Sequence, residues 1–191
     1  MTPRRHDPDR RERILAAAVR VVESRGVDGL THRAVAAEAD VPLGSTTYHF
    51  DSGDALLVAA LERLNDGWLR SFGDWLAVAD EAPSLTEHLV RFVDISLGPH
   101  RASTESVYAV YFAGLNRPVV RPTAARCLDE MVRLLRPLVA DEGTARAVVS
   151  LLDGLTIQLL LTGRPHRPEE TRRWLGRLLP ETGSRPTPPT G

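Results

Sequence analysis

Residues 31–50 read THRAVAAEADVPLGSTTYHF, two short helical segments around a tight turn. Thr31 is placed to accept a backbone N–H and cap the first segment. Ala34, Val35 and Ala39 fall on one face of it. Asp40 breaks the pattern, Val41 supplies an apolar plug, and Pro42 suits the first position of the second segment. That segment, Leu43 to His49, carries Ser45, Thr46, Thr47 and Tyr48. A short helix so rich in hydroxyls is not built for burial, and it suits the major groove of DNA, which admits one α-helix.

Upstream, Ile14, Leu15, Ala18 and Val22 recur at helical spacing, the mark of an amphipathic helix. Gly26 stands where a C-cap belongs. Leu30 is positioned to pin the start of the next helix. A supporting helix over about 8–25 therefore completes a three-helix unit. Residues Met1 to Asp9 read as an arm, with Arg4 and Arg5 available to phosphates or the minor groove.

Downstream, a long helix is expected over about 54–79, followed by breaks at Pro83, Gly98-Pro99 and Pro118. Ser84 and Glu87 form a capping-box pattern, and Asp129 and Arg133 an i, i+4 pair. The stretch from Asp141 to Thr162 is apolar on nearly every side, which calls for burial on two sides. The second of these is assigned to another subunit. With no strand-like alternation, the expected class is all-α with about nine helices. Residues 1–52 are expected to form a helix-turn-helix DNA-binding domain, 53–180 a second domain that dimerises, and 181–191 a disordered tail.

Composition narrows the alternatives. The chain has 191 residues, 42% hydrophobic and 26% charged, ordinary for a soluble globular protein. No apolar run reaches eighteen residues, so no membrane partner is expected. The Arg-rich start lacks the apolar region of a signal peptide. The single Cys127 excludes an intrachain disulfide framework and fits a reducing cytoplasm. HExxH, GxGxxG and P-loop motifs are absent, and His88, His100 and His166 are scattered. No catalytic residue, metal or cofactor is expected, and Cys127 is read as core. Net charge is −1, and Met1 to Ala60 hold eight arginines against nine acidic residues. DNA binding must then rest on placement rather than bulk charge.

The chain resembles TetR-family transcriptional regulators. The resemblance is carried by Ile14-Leu15-Ala16-Ala17-Ala18, Gly26, Leu30-Thr31, Val35-Ala36, Val41, Gly44, Tyr48-His49-Phe50 and Ala55-Leu56, and more weakly by Asp153-Gly154-Leu155. It implies a homodimer joined by its two late helices, and an effector cavity in the C-terminal domain. It also implies repression that ligand binding relieves. Two positions depart from the family: Thr47 where a tyrosine commonly meets a phosphate, and Gly53 where a lysine often stands.

Thr31, with His32 in the turn after it, offers a helix N-terminus to a phosphate. Arg33, Tyr48 and His49 reach neighbouring phosphates, with Thr47 beside them. Leu43, Gly44, Ser45 and Thr46 face base edges of a double-stranded, palindromic operator. Candidates for the effector cavity are Trp68, Phe72, Trp75, Phe92, Tyr108, Tyr111, Phe112 and Met131, which suit a small, partly apolar ligand. Val148, Leu152, Leu155, Leu159, Trp174 and Leu178 are assigned to the dimer interface.

Overall fold

The computed structural model describes residues 9–179, Asp80 by its backbone alone. The arm expected before Asp9 and the tail expected over 181–191 lie outside the described residues. Nine α-helices follow one another, with no strand among the described residues: α1 (Arg10–Arg25), α2 (His32–Ala39), α3 (Leu43–His49), α4 (Gly53–Ala77), α5 (Leu85–Leu97), α6 (Arg101–Asn116), α7 (Arg121–Leu135), α8 (Glu142–Thr162) and α9 (Pro168–Leu178).

Local chemistry sets the boundaries. Gly26, at φ 73°, ends α1 and donates its N–H to Val22 O. The Thr31 hydroxyl accepts the Ala34 amide and starts α2. Asp40, at φ 51°, ends it in the left-handed region, which an aspartate tolerates better than most residues. The Val41 N–H reaches back to Ala36 O and the Asp40 N–H to Ala37 O, the paired bonds of a Schellman turn. Pro42 caps α3 rather than opening it, and Ser52 Oγ caps α4 by accepting from Ala55 N.

Two apolar cores result. The first joins α1, α2, Phe50 and the front half of α4 (Leu56 to Leu64) to Val107, Val110, Val120 and Cys127 of the α6–α7 region. The second joins Phe72 and Leu76 of the same α4 to α5, α7, α8 and Leu175 of α9. At about 1.5 Å per residue, α4 spans roughly 37 Å, and Trp68 packs against both cores. Polar ties reinforce the joint: Asn65 Nδ2 donates to Thr123 O at 3.1 Å, Arg126 pairs with Asp66 at 2.9 Å, and Arg117 of the α6–α7 link pairs with Asp28 at 2.5 Å.

Three expectations are corrected. Arg133 binds Glu130 instead of Asp129, because the longer glutamate meets its guanidinium one turn back. Asp129 faces Arg146 of α8 at 3.7 Å. Ser84 accepts from Glu87 N, but the Glu87 carboxylate is taken by Arg172 of α9, since a two-pronged guanidinium outcompetes a cap amide. Val148 and Leu152, expected at a dimer interface, are 0% and 1% exposed inside the subunit. Leu155 and Leu159 are half-buried at the edge of the second core, and Leu161 is exposed. That helix has the length and hydropathy of a membrane span, 21 residues at mean hydropathy 1.4. Its inner face is nevertheless core: Ala145, Val148, Val149, Leu152 and Thr156 are buried.

Leu61, fully buried at the α4 waist, is a test of this packing. Leu61→Ala is expected to cost about 2–5 kcal/mol in urea unfolding at fixed protein concentration. A loss below about 1 kcal/mol would contradict a filled core there.

Candidate nucleic-acid interface and ligand cavity

The second segment of the helix-turn-helix stands clear of the body. Tyr48 is 82% exposed and Leu43 46%. Thr31, Arg33, Gly44 and Thr47 are exposed, while His32, Ser45 and His49 are half-buried. Capping by Thr31 occupies only the Ala34 amide, so the first two amides of α2 remain available to an anion. Arg33 has no ion-pair partner among the described residues, whereas Arg20 is held by Glu38 and Arg63 by Glu12. The ring of Tyr48 meets that of His49 edge-on at 5.1 Å, which steadies the outer end of α3. Nothing lies within 4 Å of a Cβ built on Gly44 or Gly53.

Thr46 does not belong to this surface. It is 0% exposed, and its hydroxyl donates to Leu43 O at 2.8 Å. One helical turn on, Phe50 is also buried and lies under the Arg11 guanidinium at 5.2 Å. Thr46 and Phe50 thus form the inward stripe of α3, and the base-reading role expected of Thr46 is withdrawn. Thr47 is exposed, with its hydroxyl donating to Gly44 O at 3.3 Å. His32 Nδ1 is buried with no hydrogen-bond partner among the described residues.

The eight aromatic and sulfur candidates in the second domain divide. Phe72 and Met131 are sealed in the second core. Trp75 stacks on the His88 ring at 3.5 Å, while His88 Nε2 hydrogen-bonds the Trp75 carbonyl. The others border two hollows that share a wall. A narrow crevice is lined by Trp68, Phe92, Thr104, Tyr108 and Asp153. An open groove of about 370 Å³ is lined by Tyr108, Tyr111, Phe112, Leu128, Asp153 and Ile157.

Asp153 belongs to both hollows, and sequence reasoning did not single it out as a ligand group. Tyr108 Oη donates to its carboxylate at 3.2 Å and its carbonyl at 3.3 Å. Burial pushes the Asp153 carboxyl up to about 6, against the pull of the Tyr108 hydrogen bond. Burial, with Asp153 second, keeps both tyrosines protonated. Burial also lifts the Cys127 thiol to about 11, so it is neutral and fits the core role assigned to it. A third, more polar hollow of about 480 Å³ lies between α8 and α9, bordered by Leu155, Leu159 and Trp174. Leu178 is half-buried nearby. His166 closes that hollow, hydrogen-bonded to Asp94 at 2.6 Å and Thr171 at 2.8 Å.

A family model described as bacterial regulatory proteins of the tetR family matches residues 14–60, and one for the tetracyclin repressor-like C-terminal domain matches 80–181. The multidrug binding protein EbrR, solved with proflavin, is 46% identical, covering 89% of this chain and 99% of its own, at TM-score 0.79. A TetR-family member from Streptomyces coelicolor A3 is 48% identical, covering 91% and 99%, at TM-score 0.75. The nicotine-responsive transcriptional repressor HdnoR of Paenarthrobacter nicotinovorans is 24% identical over 170 residues, 78% of this chain and 83% of its own.

Asp153 makes stability depend on pH. An unfolded aspartate titrates near about 3.9 and the folded one near about 6. Between those values the folded chain holds a proton the unfolded chain has lost. Its stability therefore falls as pH rises through this window, and the penalty is complete above it. Asp153→Asn should raise Tm over the native chain more at pH 7.5 than at pH 4.5. Equal differences at the two pH values would contradict the burial of a titrating carboxyl.

Proposed function

The chain belongs to the TetR family of helix-turn-helix transcriptional regulators, and from that premise we propose that it is a repressor that a small effector releases from its operator. In this reading two copies pair through α8 and α9, and each sets α3 into one half-site of a palindrome. Leu155, Leu159, Leu161, Trp174 and Leu178 supply the apolar contact. Recognition helices in such a dimer meet half-sites about 34–36 Å apart. Ser45 and Gly44 face base edges, Leu43 suits a thymine methyl, and Thr31, Arg33, Thr47, Tyr48 and His49 hold phosphates.

The observation that carries the proposal is the position of Trp68. It borders the crevice and packs against both cores, on the helix that follows α3. A ligand that enters the crevice must displace Trp68 or the rings around it, and α4 then shifts relative to α1. The effector is an aromatic molecule of drug size, in line with a groove of about 370 Å³. EbrR, the multidrug binding protein similar to this chain, has been solved with proflavin, ethidium and malachite green. Action by effector release requires that the ligand bind the DNA-incompetent arrangement better than the competent one.

Anisotropy titration of the DNA upstream of the chain's own gene tests this. Two chains per site, salt-sensitive binding and release by malachite green are expected. Binding without release would overturn the effector half of the proposal. Arg33→Ala should weaken binding and lower the salt slope by about one phosphate contact. Gly53→Lys should do the reverse, because the site has room for a side chain and the family's phosphate contact would return. Unchanged affinity and slope in both variants would overturn the proposed docking.

A further inference from the structure

We propose that Asp153 is the counterion of the effector, so that the ligand class is the aromatic monocation. This rests on the reading that an effector occupies the crevice beside Trp68 and the adjoining groove, whose shared wall holds Asp153. Asp153 stands at the wall between groove and crevice, midway along a mostly apolar helix. A carboxylate there is costly unless it is paired. Among the described residues it has no ion pair, and its hydrogen-bond donor is the neutral hydroxyl of Tyr108.

The surrounding charges do not fill that role. On α6, Tyr108 and Tyr111 stay protonated. On α7, Cys127 stays a thiol, Arg126 is committed to Asp66 of α4, and Arg121 borders the groove's exposed end. Aromatic rings line the two hollows it borders. Tyr108 and Tyr111 meet edge to face at 5.6 Å, with Phe112 beside them. Aromatic rings attract cations through their faces, and a desolvated anion beside aromatic side chains selects an organic cation over a neutral or anionic molecule of the same shape. One carboxylate balances one charge. A dication would carry its second charge into apolar walls unpaired, at the desolvation cost of a buried ion.

The selection is a property of the ionised form. A ligand of fixed charge should therefore bind more tightly as pH rises until Asp153 is fully ionised, and then level off. Asp153→Asn keeps the acceptor for Tyr108 and removes the charge. Asp153→Glu keeps the charge on a longer arm.

The test is direct binding without DNA, by calorimetry on the full chain, of malachite green and its neutral leuco form. These share three aryl rings and differ in charge. Malachite green should bind the native chain about 10–100-fold more tightly, the span expected when a charged partner is lost from a buried pair. Asp153→Asn should erase that preference, and Asp153→Glu should keep a part of it. Ethidium, whose charge is fixed, should gain about tenfold in affinity between pH 5 and pH 7.5 and little beyond. Equal binding of the two triaryl forms, or a preference that survives in Asp153→Asn, would overturn the counterion role and leave the effector reading standing. Binding of neither form would overturn both.

Discussion

The passage of one helix through two cores is the constraint on which this structure depends. Leu56, Leu57, Leu61 and Leu64 of α4 close the DNA-binding core, and Phe72 and Leu76 of the same helix close the second. A helix is stiff along its axis because each residue is bonded to the turn before it. Neither core can move its share of α4 without involving the other. The first core also extends into α6 and α7 through Val107, Val110 and Cys127. The helix-turn-helix therefore rests on the C-terminal domain itself, with Arg117 and Asp28 as an outer tie.

That arrangement explains how a domain without net positive charge can serve as a DNA reader. Some arginines near it are paired with acidic neighbours, as in Arg20–Glu38 and Arg63–Glu12. The available groups are few and fixed in place: Arg33, the start of α2, and the exposed end of α3 at Tyr48. In the proposed dimer, weak contacts at fixed spacing would discriminate by geometry, and the distance between the two recognition helices would be the controlled quantity. The packing that fixes α3 buries Thr46 and Phe50, and it leaves Leu43 and Tyr48 exposed.

Much of this was legible in the chain. Gly26, Thr31, Asp40 and Pro42 each perform a backbone task that local chemistry dictates, and the nine helices follow from apolar spacing and proline breaks. What was not legible depended on neighbours distant in sequence. A threonine in a seven-residue helix is read as polar, and its burial follows from how α3 packs on the rest of the domain. Val148 and Leu152 belong to an all-round apolar helix, so sequence alone does not say which stripe turns inward. Glu87 left its cap because Arg172 arrives from α9. Asp153 did carry a signal, a lone carboxylate in the middle of AVVSLLDGLTIQLLL, but it became a site only where Tyr108, Tyr111 and the groove met it.

The central claim is that effector and operator compete through the position of α4, and linkage tests it most directly. Malachite green affinity would be measured on the free protein and on the operator complex, and operator affinity with and without saturating malachite green. Coupling between two sites is reciprocal in free energy. The account predicts weaker ligand binding on the operator complex, by the same factor that the ligand weakens operator binding. Equal ligand affinity in the free and DNA-bound protein would contradict it.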